Sequence, residues 1–143
     1  MRRRLRSERG AALLETAITL PIILLVSVAI FEFGRAYQTW QVLTNASREA
    51  ARVSILVASS NDDVTAAARN YMTGGSLANA ATADVQIERS VAFGGGATAS
   101  RVTINYPFNF MVLNPVIRLV QAGSTTGQGT LTMSAVALMR NES

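Results

Sequence analysis

The chain has 143 residues, a formal net charge of +4, and neither cysteine nor histidine. That length holds one membrane segment and one modest domain, which excludes a large multidomain enzyme. The missing thiols and imidazoles remove disulfides, thiol nucleophiles, the usual zinc ligand sets and the usual general base for an activated serine.

The charge is not spread evenly. Arg2, Arg3, Arg4, Arg6 and Arg9 face only Glu8 in the first ten residues, and beyond Gly10 eight arginines balance eight acids. The basicity therefore belongs to a leader, not to a folded face, so nucleic acid is not expected as a partner. Ala11 to Phe31 then reads AALLETAITLPIILLVSVAIF, 21 residues whose only ionisable side chain is Glu15. About 20 apolar residues cross a bilayer core of roughly 30 Å, and Glu32 and Arg35 close the run on its far side. The leader arginines are expected to stay in the cytoplasm, placing the chain beyond Phe31 outside the inner membrane. Pro21 predicts a kink in the span and not a break.

An ordinary signal peptide accounts for part of this pattern, with cleavage after Ser27-Val28-Ala29. Two features count against it. A carboxylate at Glu15 costs up to about 3 kcal/mol at full membrane depth, and a signal peptide has no use for one. The helical pattern also continues past the small residues through Phe33, Tyr37, Trp40, Leu43, Ala46, Ala50, Val53 and Val57. A cut after Gly10 gives Glu15 a purpose. Ala11 then acquires a free amino group about 6 Å along the helix from the glutamate, the fifth residue of the mature chain. In a low-dielectric bundle the carboxylate of one copy neutralises the amine of the next and fixes axial register.

The stretch Arg9-Gly10-Ala11-Ala12-Leu13-Leu14-Glu15 before an apolar helix resembles a type IV prepilin cleavage site. With its continuation through Phe31-Glu32-Phe33-Gly34-Arg35 to Ala51-Arg52, it resembles the TadE-like minor pilins or pseudopilins of type IVb tight-adherence (Flp) pilus systems. Ala11 stands where most type IVa pilins have Phe, and Thr16 where major Flp pilins usually have Tyr. The chain is also longer than the major Flp subunits, so the resemblance points to a minor component. It implies processing by a membrane prepilin peptidase, and other pilins and inner-membrane pilus assembly proteins as partners.

Residues 32 to 58 read as a helix leaving the membrane, with Arg48, Glu49 and Arg52 on solvated positions. A helix from Ala11 to Ala58 would extend about 72 Å. Trp40 is expected to pack under the domain, the alternative being an interfacial belt with Tyr37. Ser59, Ser60 and Asn61 break the helix. Asp62 and Asp63 open a second, short helix to about Met72, closed by Thr73-Gly74-Gly75; these acids are ordinary helix-start residues, not metal ligands. Val85, Ile87, Val91 and Phe93 then alternate as a strand with Arg89 as the intruder on that face. Gly94-Gly95-Gly96 lead into a second strand with Val102, Ile104, Tyr106, Phe108 and Phe110 on one side. Pro107 places its stretch on a sheet edge or at a strand end. Met111 to Val120 form a connection interrupted at Asn114-Pro115, Gly123 to Gly129 a loop, and Leu131, Met133, Ala135, Ala137 and Met139 a third strand.

The expected architecture is α+β and pilin-like: a long N-terminal transmembrane helix extended into the periplasm, a short helix, and a small three-stranded antiparallel sheet. Its segments are a basic leader (1–10), a transmembrane helix (11–33), a periplasmic helix extension (34–58) and an extracytoplasmic domain (59–143). Gly10 and Ala11 form the expected processing site, and Glu15 sets subunit register. No catalytic residue, cofactor, metal or small-molecule substrate is expected; the lipid bilayer is the partner of the apolar run. The competing function is an exported or membrane-anchored binding or adhesion module, cleaved by ordinary signal peptidase or not cleaved.

Overall fold

The computed structural model describes residues 2–56, 58–112, 114–115 and 130–141, with side chains from Gly10 onward. Two helices cover one face of a three-stranded antiparallel sheet, the α+β plan expected. Helix α1, Arg2–Ser54, has 53 residues and is about 80 Å long. It begins within the arginine-rich leader, whose Arg and Leu residues are good helix formers, and runs through Pro21 without interruption. The expected parts of the connection between 116 and 129, the Gly123–Gly129 loop, Leu113 and Val57 lie outside the described residues.

The far half of α1 docks by small side chains. Leu43, Ala46, Ser47, Ala50 and Ala51 have no exposed surface, and Thr39 and Ser54 are also buried. Their spacing follows the helical repeat, and their size lets the helix axis come close to the sheet. Against this stripe lie Val102, Ile104, Tyr106 and Phe108 of the central strand and Ala135 of the third. The larger apolar residues lower on the helix point elsewhere. Tyr37 and Trp40 pair on the exposed side, ring centroids 6.3 Å apart. Trp40 is thus 48% exposed and does not pack under the domain, because the residues aligned with the sheet are Thr39, Leu43 and Ala46.

Helix α1 ends at Ser54, four residues before the expected Ala58. The terminus is set from outside the helix. Arg89 donates through Nη1 to the Ser54 carbonyl, through Nη2 to the Ser59 carbonyl (both 3.0 Å) and through Nε to Asn61 Oδ1 (3.1 Å). One cation therefore satisfies a helix-end carbonyl and pins the turn to the next helix. Helix α2, Asn61–Gly74, starts at Ser60 with a reciprocal capping box. The Asp63 amide donates to Ser60 Oγ (3.1 Å), and Asp63 Oδ2 accepts from the Ser60 amide (2.8 Å). Val64, Ala68 and Met72 form its buried side, and Gly75 ends it where a Cβ would lie 2.5 Å from a Val42 methyl.

After a single 3₁₀ turn, Ala80–Thr82, strands β1 (Asp84–Phe93), β2 (Ala97–Phe108) and β3 (Leu131–Arg140) make the sheet in that order. Strand β1 pairs with β2 from Asp84 opposite Asn105 to Glu88 opposite Arg101, and resumes with Val91 opposite Ala99. Arg89 and Ser90 together face one partner position, and Ser90 takes a positive φ of 66°: a β-bulge. Arg89 keeps the helix-facing side expected of it, its guanidinium lying between the end of α1 and the start of α2. The bulge inverts the remainder of the strand. Ala99 and Arg101 are two apart and share a face, so Val91 lies with Glu88 on the outer side, opposite Val85 and Ile87. Phe93 comes two residues after Val91 and is 46% exposed. The hairpin closes through Gly94, Gly95 and Gly96, all at positive φ, which side-chain-bearing residues rarely adopt.

Strand β2 is central, and Pro107 sits near its end, beyond Asn105, where β1 no longer pairs. The strand-end expectation holds, and the Pro107 carbonyl accepts from Asn79 Nδ2 at 3.3 Å. Phe110 falls outside the strand but meets Phe108 edge to face, centroids 5.3 Å apart.

The hydrogen bonds from the Ser60 hydroxyl and amide hold the Asp63 carboxyl below the usual carboxylate range. A pKa lower in the folded state than in the unfolded chain contributes stability above the unfolded value, near 4, that is lost as the pH falls through the folded one. In detergent-solubilised full chain, Asp63→Asn is expected to lower the melting temperature at pH 7, and the gap from the unsubstituted chain to close as the pH drops below about 4. A gap independent of pH would remove the carboxylate from this account.

Candidate membrane-anchoring and assembly site

Along the near half of α1, apolar side chains have nothing of the domain to cover them. Leu14, Ile18, Leu20, Ile23, Leu24, Leu25, Val26, Ile30 and Phe31 are all more than half exposed. This stretch belongs to the one described helix that is long and apolar enough to span a membrane. Its hydroxyls are satisfied within the helix: Thr16 Oγ1 donates to the Ala12 carbonyl (2.8 Å), Thr19 Oγ1 to that of Glu15 (2.7 Å) and Ser27 Oγ to that of Ile23 (2.9 Å). These three hydroxyls are thus satisfied as an apolar surrounding would require.

Glu15 is different. It lies on the exposed surface of α1 and has no ion-pair partner among the described residues. Thr16, Thr19, Leu20 and Ile23 flank it along a shallow cleft. Gly10 and Ala11 precede it by about one helical turn, both exposed and both helical. Arg2, Arg3, Arg4, Arg6 and Arg9 belong to α1 by backbone, and their side chains lie outside the described residues. Gly10, Ala11 and Glu15 thus share one short, uncovered stretch of α1.

A second cluster stands where the apolar run ends. Glu32 is fully buried, and its carboxylate accepts from Arg35 Nη2 (3.1 Å) and from the Val112 amide. Arg35 donates from the same nitrogen to the Asn109 carbonyl, and its guanidinium lies 4.6 Å over the centre of the Phe108 ring. Its Nε is buried without a hydrogen-bond partner. One i,i+3 ion pair therefore clamps the segment after β2 onto the helix just beyond the span. The carboxylate and guanidinium neutralise one another, and the amide and carbonyl they engage belong to backbone that has left the sheet.

This clamp was not among the sequence-predicted site residues. In the sequence Glu32 and Arg35 read as the polar end of a membrane segment, and their partners lie more than 70 positions away. Their spacing carried a partial signal, since an acid and a base three apart share a helix face. Among the described residues, no group of three or more potential metal-ligating acids occurs.

Comparison with protein families matches residues 10–52 to the family described as "TadE-like protein". The match covers Gly10, Ala11, Glu15, the apolar run and the docking stripe to the last turn of α1. It bears out the resemblance over that stretch of the chain. No curated protein and no solved structure matches the chain.

Removing Glu32 leaves a part-buried guanidinium and the Val112 amide without their acceptor. Glu32→Ala is expected to destabilise the full chain in detergent by about 2 kcal/mol, below the range for a fully buried pair because Arg35 keeps 29% of its side chain exposed. Hydrogen exchange at Val112 should accelerate while the amides of α2 stay protected; unchanged exchange at Val112 would contradict the clamp.

Proposed function

Starting from the TadE-like match over residues 10–52, we propose that this chain is a minor pilin or pseudopilin acting in assembly of a tight-adherence type IVb pilus. In this reading a prepilin peptidase cuts after Gly10, the arginine leader lies in the cytoplasm, and the α+β domain stands in the periplasm. The observation that carries it is the single carboxylate of Glu15, five positions beyond Gly10 on the uncovered part of α1. A lone charge at that depth is a penalty of up to about 3 kcal/mol. The amine that cleavage creates on Ala11 of a neighbouring copy offsets it and ties the two helices at one axial offset.

The local chemistry suits a protease substrate. The bond between Gly10 and Ala11 lies in a helix, which a protease must open to reach the carbonyl. Glycine is about 1 kcal/mol worse than alanine in a helix interior, so Gly10 lowers the cost of unwinding α1 at this bond. The alternative signal-peptidase site after Ala29 lies deep in uninterrupted helix, with Glu32 and the docking stripe continuing beyond it. A cut there would release the domain from its anchor, giving a soluble binding module.

Intact mass of the protein extracted from membranes separates these readings. With a prepilin peptidase present the chain should begin at Ala11, and without it at Met1; a start near Ile30 in both strains would establish the secreted module instead. Replacing Glu15 with Leu should leave membrane insertion and the cut unchanged while reducing surface piliation severely. Piliation at the parental level in that strain would remove the register role.

A further inference from the structure

The clamp fixes a second part of the chain at the height where the apolar run ends. Glu32 is the residue immediately after Phe31, and its bond to the Val112 amide holds Phe110, Met111 and Val112 beside that turn of α1. Phe110 turns inward against Phe108 and the core, whereas Met111 and Val112 do not. Met111 is 64% exposed and Val112 38%, while the last apolar residues of the span, Ile30 and Phe31, and the neighbouring Phe33 are exposed to a similar degree. Between Arg101 and Arg118 the sequence has no charged residue, so the segment carries nothing that resists an apolar phase. Among the described residues, the charges that meet it, Glu32 and Arg35, cancel one another.

We propose that Met111 and Val112 lie in the lipid interface beside the end of the span, so that the domain rests on the bilayer as well as hanging from its helix. The occupant is lipid because the Val112 amide is held at Glu32, the residue directly after Phe31, which places the exposed Met111 and Val112 at the level where the bare surface of α1 stops. Leaving Met111 in water forfeits the gain from burying a large apolar side chain, and lipid at this level supplies that burial. This inference rests on the membrane-spanning reading of α1 and extends it to the sheet-end segment, whose sequence gives no spanning signal of its own.

The chain has no native thiol, so a single cysteine at an exposed position can be labelled in the full-length protein. In phosphatidylethanolamine–phosphatidylglycerol vesicles, an environment-sensitive fluorophore is placed at Met111→Cys, at Leu24→Cys in the span and at Val136→Cys on the outer sheet face. Lipids carrying shallow or deep nitroxides serve as quenchers. Shallow nitroxides should quench position 111 about threefold or more above position 136, with position 24 quenched by the deep ones. Quenching at 111 no greater than at 136, with 24 still deeply quenched, would overturn the inference and leave the anchor standing. Lack of deep quenching at 24 would overturn the spanning reading and this inference together. Protection of 111 from both iodide in the water and nitroxide in the lipid would show that protein, such as a second copy, covers it, and would also overturn the inference.

Discussion

A carboxylate removed from water costs several kcal/mol unless a countercharge and hydrogen-bond donors meet it, and Glu32 is removed completely. Its two oxygens are met by Arg35 and by the Val112 amide, and Arg35 in turn holds the Asn109 carbonyl and the Phe108 ring. The position of the domain is set by this group of contacts. Two chain segments more than 70 residues apart are joined at the turn where the helix surface changes from bare to covered, so the sheet cannot slide along α1 without separating an ion pair from its partners.

Above that point the helix docks through alanine, serine and threonine, with Leu43 the largest buried side chain on the stripe. Small residues make the approach close and the contact sensitive to register, since an axial shift would bring larger side chains such as Val42 and Trp40 against the sheet. Below it the same helix presents large aliphatic groups with nothing to cover them. One continuous element therefore carries two kinds of surface, and the boundary between them is chemical: the helical backbone itself does not change.

Much of this was legible in the sequence because the signals are local. The run from Ala11 to Phe31 states its own environment, Ser60 and Asp63 announce a helix start three residues apart, and alternation from Val102 to Phe108 marks a strand buried on one side. What escaped depends on contacts between distant residues. Trp40 shares the helical repeat with Leu43, and composition alone does not say which of two adjacent faces the sheet will choose. Arg89 breaks an alternating pattern, but its role as the cap of α1 requires the Ser54 and Ser59 carbonyls to arrive from 30 or more positions earlier. Within the candidate site, Gly10, Ala11 and Glu15 were readable from spacing, whereas the Glu32–Arg35 clamp was hidden because its acceptor and donor on the far side are backbone groups.

The bulge at Arg89 and Ser90 has a further effect on the sheet's border. Strand β1 is ten residues long and lies at an edge of the sheet, the geometry that invites a stray strand to add on. Past the bulge its side chains exchange faces, so no extended partner can keep one inside and one outside along its whole length. The domain thus carries an irregular border that limits unwanted strand-to-strand joining.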